Sequence, residues 1–187
     1  MNMSKPIQCR SALSRRNGYT LVEMLVLITI MGIAGAMVIP AMGQTGVLRI
    51  QAAVRSVVAD ITFAQMDALA YQESRAVVFD VDVNSYTLVQ VIDGVVDIDA
   101  NALYNSKGLN ERYTVDFNQE RYGGSTLQNV NLNGGSMIIF DELGGPVASA
   151  GSSELSDGGS VEITGQFSTF RINIAAFTGR VTVTRLD

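Results

Sequence analysis

The sequence predicts an α+β protein in which one long N-terminal helix, apolar in its first half and amphipathic in its second, packs on an antiparallel β-sheet head. Three observations predict it. Residues 19–42 form a 24-residue run whose single charge is Glu23. From about Val47 to Gln72 apolar positions recur at three- and four-residue steps. From Ser74 onward the chain turns to β-branched and aromatic residues punctuated by Gly, Asn and Asp.

Residues 1–18 carry Lys5, Arg10, Arg15 and Arg16 and no acid, whereas only Arg49 and Arg55 lie near the far end of the apolar run. That asymmetry predicts a cytoplasmic leader, residues 1–18, with the bulk of the chain across the membrane. At the helical rise roughly 20 apolar residues cross a bilayer core, so residues 19–42 suffice for a transmembrane helix. Within it Pro40 removes a backbone hydrogen bond and clashes with the carbonyl of Ala36, which predicts a kink or the membrane exit. Glu23 is an ionisable group inside this run, and such a group is by default a functional-site hypothesis.

The residues Gly18-Tyr19-Thr20-Leu21-Val22-Glu23, behind a basic leader, resemble the prepilin processing motif of type IV pilins and type II secretion pseudopilins. The resemblance implies a membrane-embedded prepilin peptidase that cuts between Gly18 and Tyr19 and methylates the new amine of Tyr19. It also implies other pilins or pseudopilins as filament partners and a head on the periplasmic side of the inner membrane. Tyr19 and Glu23 are four residues apart, one helical turn. The freed amine of the same or a neighbouring subunit can then neutralise the Glu23 carboxylate in a low-dielectric helix bundle. A competing reading is an A-x-A-like signal-peptidase site at Ala34-Gly35-Ala36, which would release a soluble secreted binding domain. The apolar run continues past it through Met37, Val38, Ile39, Ala41 and Met42, which a simple signal would not need.

After Gly43-Gln44-Thr45-Gly46, the positions Ile50, Val54, Val57, Ile61, Ala64 and Ala68 trace one face of an amphipathic helix over 47–72. Arg49, Arg55, Asp60, Asp67 and Glu73 fall mostly off that stripe and are expected on a half-solvated face. Strands are expected at 75–80, 86–92, 113–117, 137–140, 161–164, 169–175 and 180–184. The first two form a hairpin about Asp82-Val83-Asn84-Ser85, and the last three an antiparallel meander. The head therefore occupies residues 43–187, its sheet 74–187. Segments 93–112 and 144–159 carry weak structure signals and are expected to hold subunit-specific contacts.

Removing the leader takes away four of the 13 basic residues and none of the 18 acids, leaving a formal charge of −9. An acidic head argues against nucleic acid as a partner. The chain has no histidine, which excludes Ser-His-Asp and Cys-His catalysis and the usual zinc ligand sets. Cys9, the one cysteine, lies in the leader, so the head holds itself together by its core. Asp80 with Asp82, Asp97 with Asp99, and Asp141 with Glu142 are the paired carboxylates available for acid-base work, and solvated turns are their ordinary use. Two of these pairs begin like a calcium loop. They fail at the sixth position, Ala102 and Ser85, and at the twelfth, Gly108 and Val91. No catalytic site, metal or cofactor is expected.

Toward the C-terminus, Phe140-Asp141-Glu142-Leu143-Gly144-Gly145-Pro146, Ile172-Asn173-Ile174 and Thr178-Gly179-Arg180-Val181-Thr182-Val183 resemble the GspH and FimT group of minor pseudopilins and pilins. Some FimT-like members look suited to DNA uptake through a Gly-Arg-x-Arg sequence. Here it reads Gly179-Arg180-Val181-Thr182, without the second arginine. The resemblance implies a structural subunit, minor, of a type II secretion pseudopilus, the alternative being a minor type IV pilin of adhesion, motility or DNA uptake.

Overall fold

The computed structural model describes residues 18–106 and 109–186, and within the long helix it leaves the side chains of residues 37–45 undescribed. The basic leader, residues 1–17, lies outside the described residues, as does the side chain of Pro40, on which the expected kink depends. The chain divides after Ala41 into two compact units.

Helix α1 runs Leu21–Tyr71, through position 40. In the first unit its large apolar side chains from Leu21 to Ile33 are all exposed. Among the described residues no helix is long and apolar enough to cross a membrane. The reason is partly one of extent. Residues 21–36 are the apolar part of α1 with described side chains, and 16 residues rise about 24 Å, short of a bilayer core of about 30 Å. The expected span, 19–42, needs residues 37–42 as well.

In the second unit α1 ends in a Schellman motif. Gln72 takes a left-handed conformation (φ 54°), and the Glu73 amide donates to the carbonyl of Ala68 at 3.2 Å. The chain then enters two antiparallel sheets. The first has the order β3-β2-β1-β6-β7, built from β1 (Arg75–Asp80), β2 (Ser85–Ile92), β3 (Val95–Val96), β6 (Met137–Phe140) and β7 (Pro146–Val147). Its sixth strand, β4 (Thr114–Asp116), pairs with the other end of β2. The second sheet has the order β10-β9-β8-β5, from β5 (Thr126–Leu132), β8 (Gly159–Thr164), β9 (Thr169–Ile174) and β10 (Val181–Arg185). The expected hairpin pairs Arg75 with Gln90 through Asp80 with Ser85, and β8-β9-β10 is the expected meander.

One core joins helix and sheets. Ile50, Val57, Ile61 and Ala64 of α1 lie against Phe79, Tyr86, Phe117, Phe140, Ile163 and Ile172, all essentially without exposure. Burying such a side chain is worth about 1.5–3 kcal/mol, so this layer fixes α1 on the sheets. β1 is buried on both faces, as its uninterrupted Ala76-Val77-Val78-Phe79 run requires. Val77 and Phe79 meet the helix, while Ala76 and Val78 form a smaller outer cluster with Val89, Val91, Ile139 and Val147.

Two features depart from expectation. The head has two sheets, because β5 closes the second one. β5 escapes a reading by alternation, since Thr-Leu-Gln-Asn-Val-Asn-Leu buries only Leu127 and Leu132 fully and its register shifts between Gln128 and Asn131. The two weak segments are also pinned in places. β3 and the bridges of Val89 to Ala102 and Tyr104 to Arg112 hold the first, and β7 and the bridge of Val147 to Leu155 hold the second.

Candidate functional site

The N-terminal motif occupies the start of α1. Thr20 precedes the helix, and its hydroxyl accepts the Glu23 amide at 3.2 Å while its carbonyl accepts the Met24 amide at 3.2 Å. Thr20-Leu21-Val22-Glu23 thus has the spacing of a capping box, with Glu23 at the third helical position, where an acid also favours the helix dipole. That signature is readable from the sequence, where it overlaps the prepilin-like motif. Tyr19 lies before the first helical residue and is exposed, so Tyr19 and Glu23 do not form a helical i, i+4 pair in this chain. Gly18 has no positive φ and, among the described residues, no atom within 4 Å of the position a Cβ would take. The described fold therefore does not demand glycine there.

The second half of α1 is fastened by polar groups the sequence reading set in solvent. Asp60 is buried, not half-solvated. Tyr86 Oη donates to its Oδ2 at 2.5 Å and Tyr113 Oη to its Oδ1 at 2.9 Å. Ser56 Oγ lies 3.1 Å from Tyr86 Oη and 3.2 Å from Tyr122 Oη, which extends the network from helix to sheet. Burial raises the Asp60 pKa above its usual value, with the tyrosine and serine hydrogen bonds and the Arg121 charge opposing. The same burial, with the Asp60 carboxylate, raises Tyr86 and pushes Tyr113 up to about 12, so both remain donors. The signal was present, because Ala53, Val57, Asp60 and Ala64 follow a 4-3-4 spacing that includes Asp60 in the apolar stripe.

At the helix end the buried Arg75 donates to Asp67 at 2.6 Å and to Glu73 at 3.0 Å, so Asp67 is also held against β1. Gln65 Nε2 donates to the carbonyls of Gly144 (2.7 Å) and Thr178 (3.0 Å), tying two turns to the helix. The paired acids are turn caps. Asp80 Oδ1 accepts the amides of Asp82 and Val83, Asp97 Oδ1 those of Asp99 and Ala100, and Asp141 Oδ1 those of Leu143 and Gly145. Asp99 meets Arg112 at 2.8 Å. Among the described residues no three acids are grouped as metal ligands would be. Arg180 stands exposed just before β10, and Arg185 ends that strand.

Residues 13–39 match the family described as Prokaryotic N-terminal methylation motif. No curated protein matches the chain at a significant level. Among solved structures, the minor pseudopilin EpsH from the Type 2 Secretion System of Vibrio cholerae shares the fold at a TM-score of 0.51 and 12% sequence identity, over 73% of this chain and 97% of that one. The chain is pilin-like in its N-terminal motif and carries a pseudopilin fold, a helix on curled antiparallel sheet.

Proposed function

We propose that the chain is a structural subunit, a minor pseudopilin, of a type II secretion pseudopilus. Prepilin peptidase cuts after Gly18 and methylates the amine of Tyr19. Residues 19–42 insert in the inner membrane with the head in the periplasm, and α1 then packs among the helices of neighbouring subunits. The observation that carries this reading is the start of α1. A glycine that the described fold does not require precedes a capped helix whose apolar side chains are exposed among the described residues. The outward side of the second half of α1 agrees, since Ala52, Ala59, Phe63, Met66 and Ala70 are exposed there. The likeness of the head to a solved pseudopilin supports this reading, and a minor type IV pilin, which the same fold would serve, is the alternative.

Glu23 supplies the test. The motif makes it the counter-charge of an incoming amine, while the local geometry places it at the third helical position, its amide held by the Thr20 cap. Glu23→Gln keeps a residue able to serve a capping box and removes the charge. Glu23→Ala and Glu23→Gln should both be cut after Gly18, by mass of the mature N-terminus, and both should fail to enter filaments. Normal incorporation of Glu23→Gln would refute the charge role. A mature chain beginning at Met37 would refute the filament subunit itself.

A further inference from the structure

Among the described residues the last strand is open along one side. There β10 pairs only with β9, and the ladder places its even-numbered residues against that neighbour: the Arg180 carbonyl accepts from Ala175 at 3.0 Å and the Leu186 amide donates to Thr169 at 2.9 Å. Alternation then turns the amides and carbonyls of Val181, Val183 and Arg185 outward, a ready template for another strand. Side chains agree. Val183 lies opposite Ile172, which is completely buried, yet Val183 is 45% exposed, so the core face continues past its own cover. Phe177, in the β9–β10 turn, is also exposed and takes a φ of 63°, a conformation a bulky residue rarely adopts. Residues 163–187 hold three arginines against one acid, Asp187, and of the arginines Arg171 is paired with Glu162 while Arg180 and Arg185 face solvent.

A surface of opposite character lies at the far edge of the other sheet. β3 is flanked by Asp93, Asp97 and Asp99, and its Val95, with Ile98 beyond it, is exposed. Arg112 neutralises Asp99, and among the described residues Asp93 and Asp97 have no ion pair.

We propose that the open edge of β10 in one copy takes the β3 segment, Asp93–Asp99, of a second copy. Val183 and Leu186 would meet Val95 and Ile98, and Arg180 and Arg185 would meet Asp93 and Asp97. The two edges belong to different sheets, so the contact is heterologous and joins two copies without two-fold symmetry. This deepens the filament reading and rests on it for its use in the cell, although the contact itself needs only two copies.

The experiment uses full-length chain with Cys9→Ser, which leaves no other cysteine. Two differently tagged copies, one Val183→Cys and one Val95→Cys, are produced together and oxidised in isolated membranes. A disulfide forms only if the Cβ atoms come within about 4.5 Å. A mixed-tag species is expected. Arg180→Glu with Arg185→Glu on the first copy should lower its yield roughly fivefold, the effect of two exposed pairs made repulsive. Asp93→Lys with Asp97→Lys on the second copy should restore it, and that recovery also establishes that the altered chains fold. No mixed species from protease-resistant copies, or a yield indifferent to charge reversal, overturns the proposal. If either occurs while Glu23→Gln still blocks incorporation, the contact falls and the filament reading stands. If cutting after Gly18 fails while the cross-link forms, the reverse holds.

Discussion

Replacing Asp60 separates what its charge does from what its hydrogen bonds do. The carboxylate accepts from Tyr86 at 2.5 Å and Tyr113 at 2.9 Å in a buried setting. Its raised pKa means that desolvation outweighs those bonds, so the native state binds the Asp60 proton more tightly than the unfolded chain does. Ionised Asp60 therefore costs stability at neutral pH. Asp60→Asn keeps one acceptor and presents an amide donor to the other tyrosine, whose hydroxyl can rotate to accept. Removing the charge while keeping bonds is expected to leave stability within about 1 kcal/mol of the parent at pH 7, or to raise it. Asp60→Ala instead leaves the buried Tyr86 hydroxyl with Ser56 alone and opens a void, a loss of about 2–3 kcal/mol. Acidification adds a second reading. As pH falls through the native pKa toward the unfolded value near 3.9, the parent gains on Asp60→Asn, with a limiting slope of about 1.4 kcal/mol per pH unit. Urea unfolding of the full chain in detergent, followed by circular dichroism from pH 4 to 8, measures both quantities. If Asp60→Asn is as damaging as Asp60→Ala, or if the parent gains on it toward neutral pH, the account of this network is wrong.

Two further outcomes follow from the head. Gly159 has a φ of 154°, and an added Cβ would overlap the Asn131 carbonyl oxygen and crowd Leu132 Cα in β5, so Gly159→Ala should lose more than about 3 kcal/mol or fail to fold; a urea midpoint like the parent's would contradict this. Glu162 has its pKa lowered by the Asn129 hydrogen bond and by Arg171, so its contribution is present above about pH 4.3 and lost as pH falls through the lower native value. Glu162→Gln should cost under about 1 kcal/mol at pH 7, because Arg171 is nearly half exposed, and less at pH 3. A penalty that grows on acidification would reverse the assignment.

Glu162 and Asp60 illustrate why acids are hard to read from sequence. Both sit in segments whose neighbours mark a helix or strand plainly, yet their pKa values move in opposite directions. Glu162 faces Asn129 and Arg171 across a ladder, and Asp60 faces two tyrosines more than 25 residues away along the chain. The prepilin-like motif, by contrast, needs no tertiary partner to be recognised, because Gly18, Thr20 and Glu23 fall within six consecutive residues. The paired acids were rightly placed in turns for the same reason, since an Asx cap spans two or three residues.

By itself the sequence determined the long helix, the first hairpin, the final meander and the prepilin-like motif, all of which rest on periodicity or on contacts within a few residues. Only the tertiary structure decided that Asp60 is buried, that β5 closes a second sheet, and that β10 presents an uncovered apolar edge. Each of those depends on which residues distant along the chain share a surface, and neither propensity nor spacing encodes that directly. A polar strand is kept by its partner's hydrogen bonds, and a carboxylate can leave water only where folding brings hydroxyl donors to meet it.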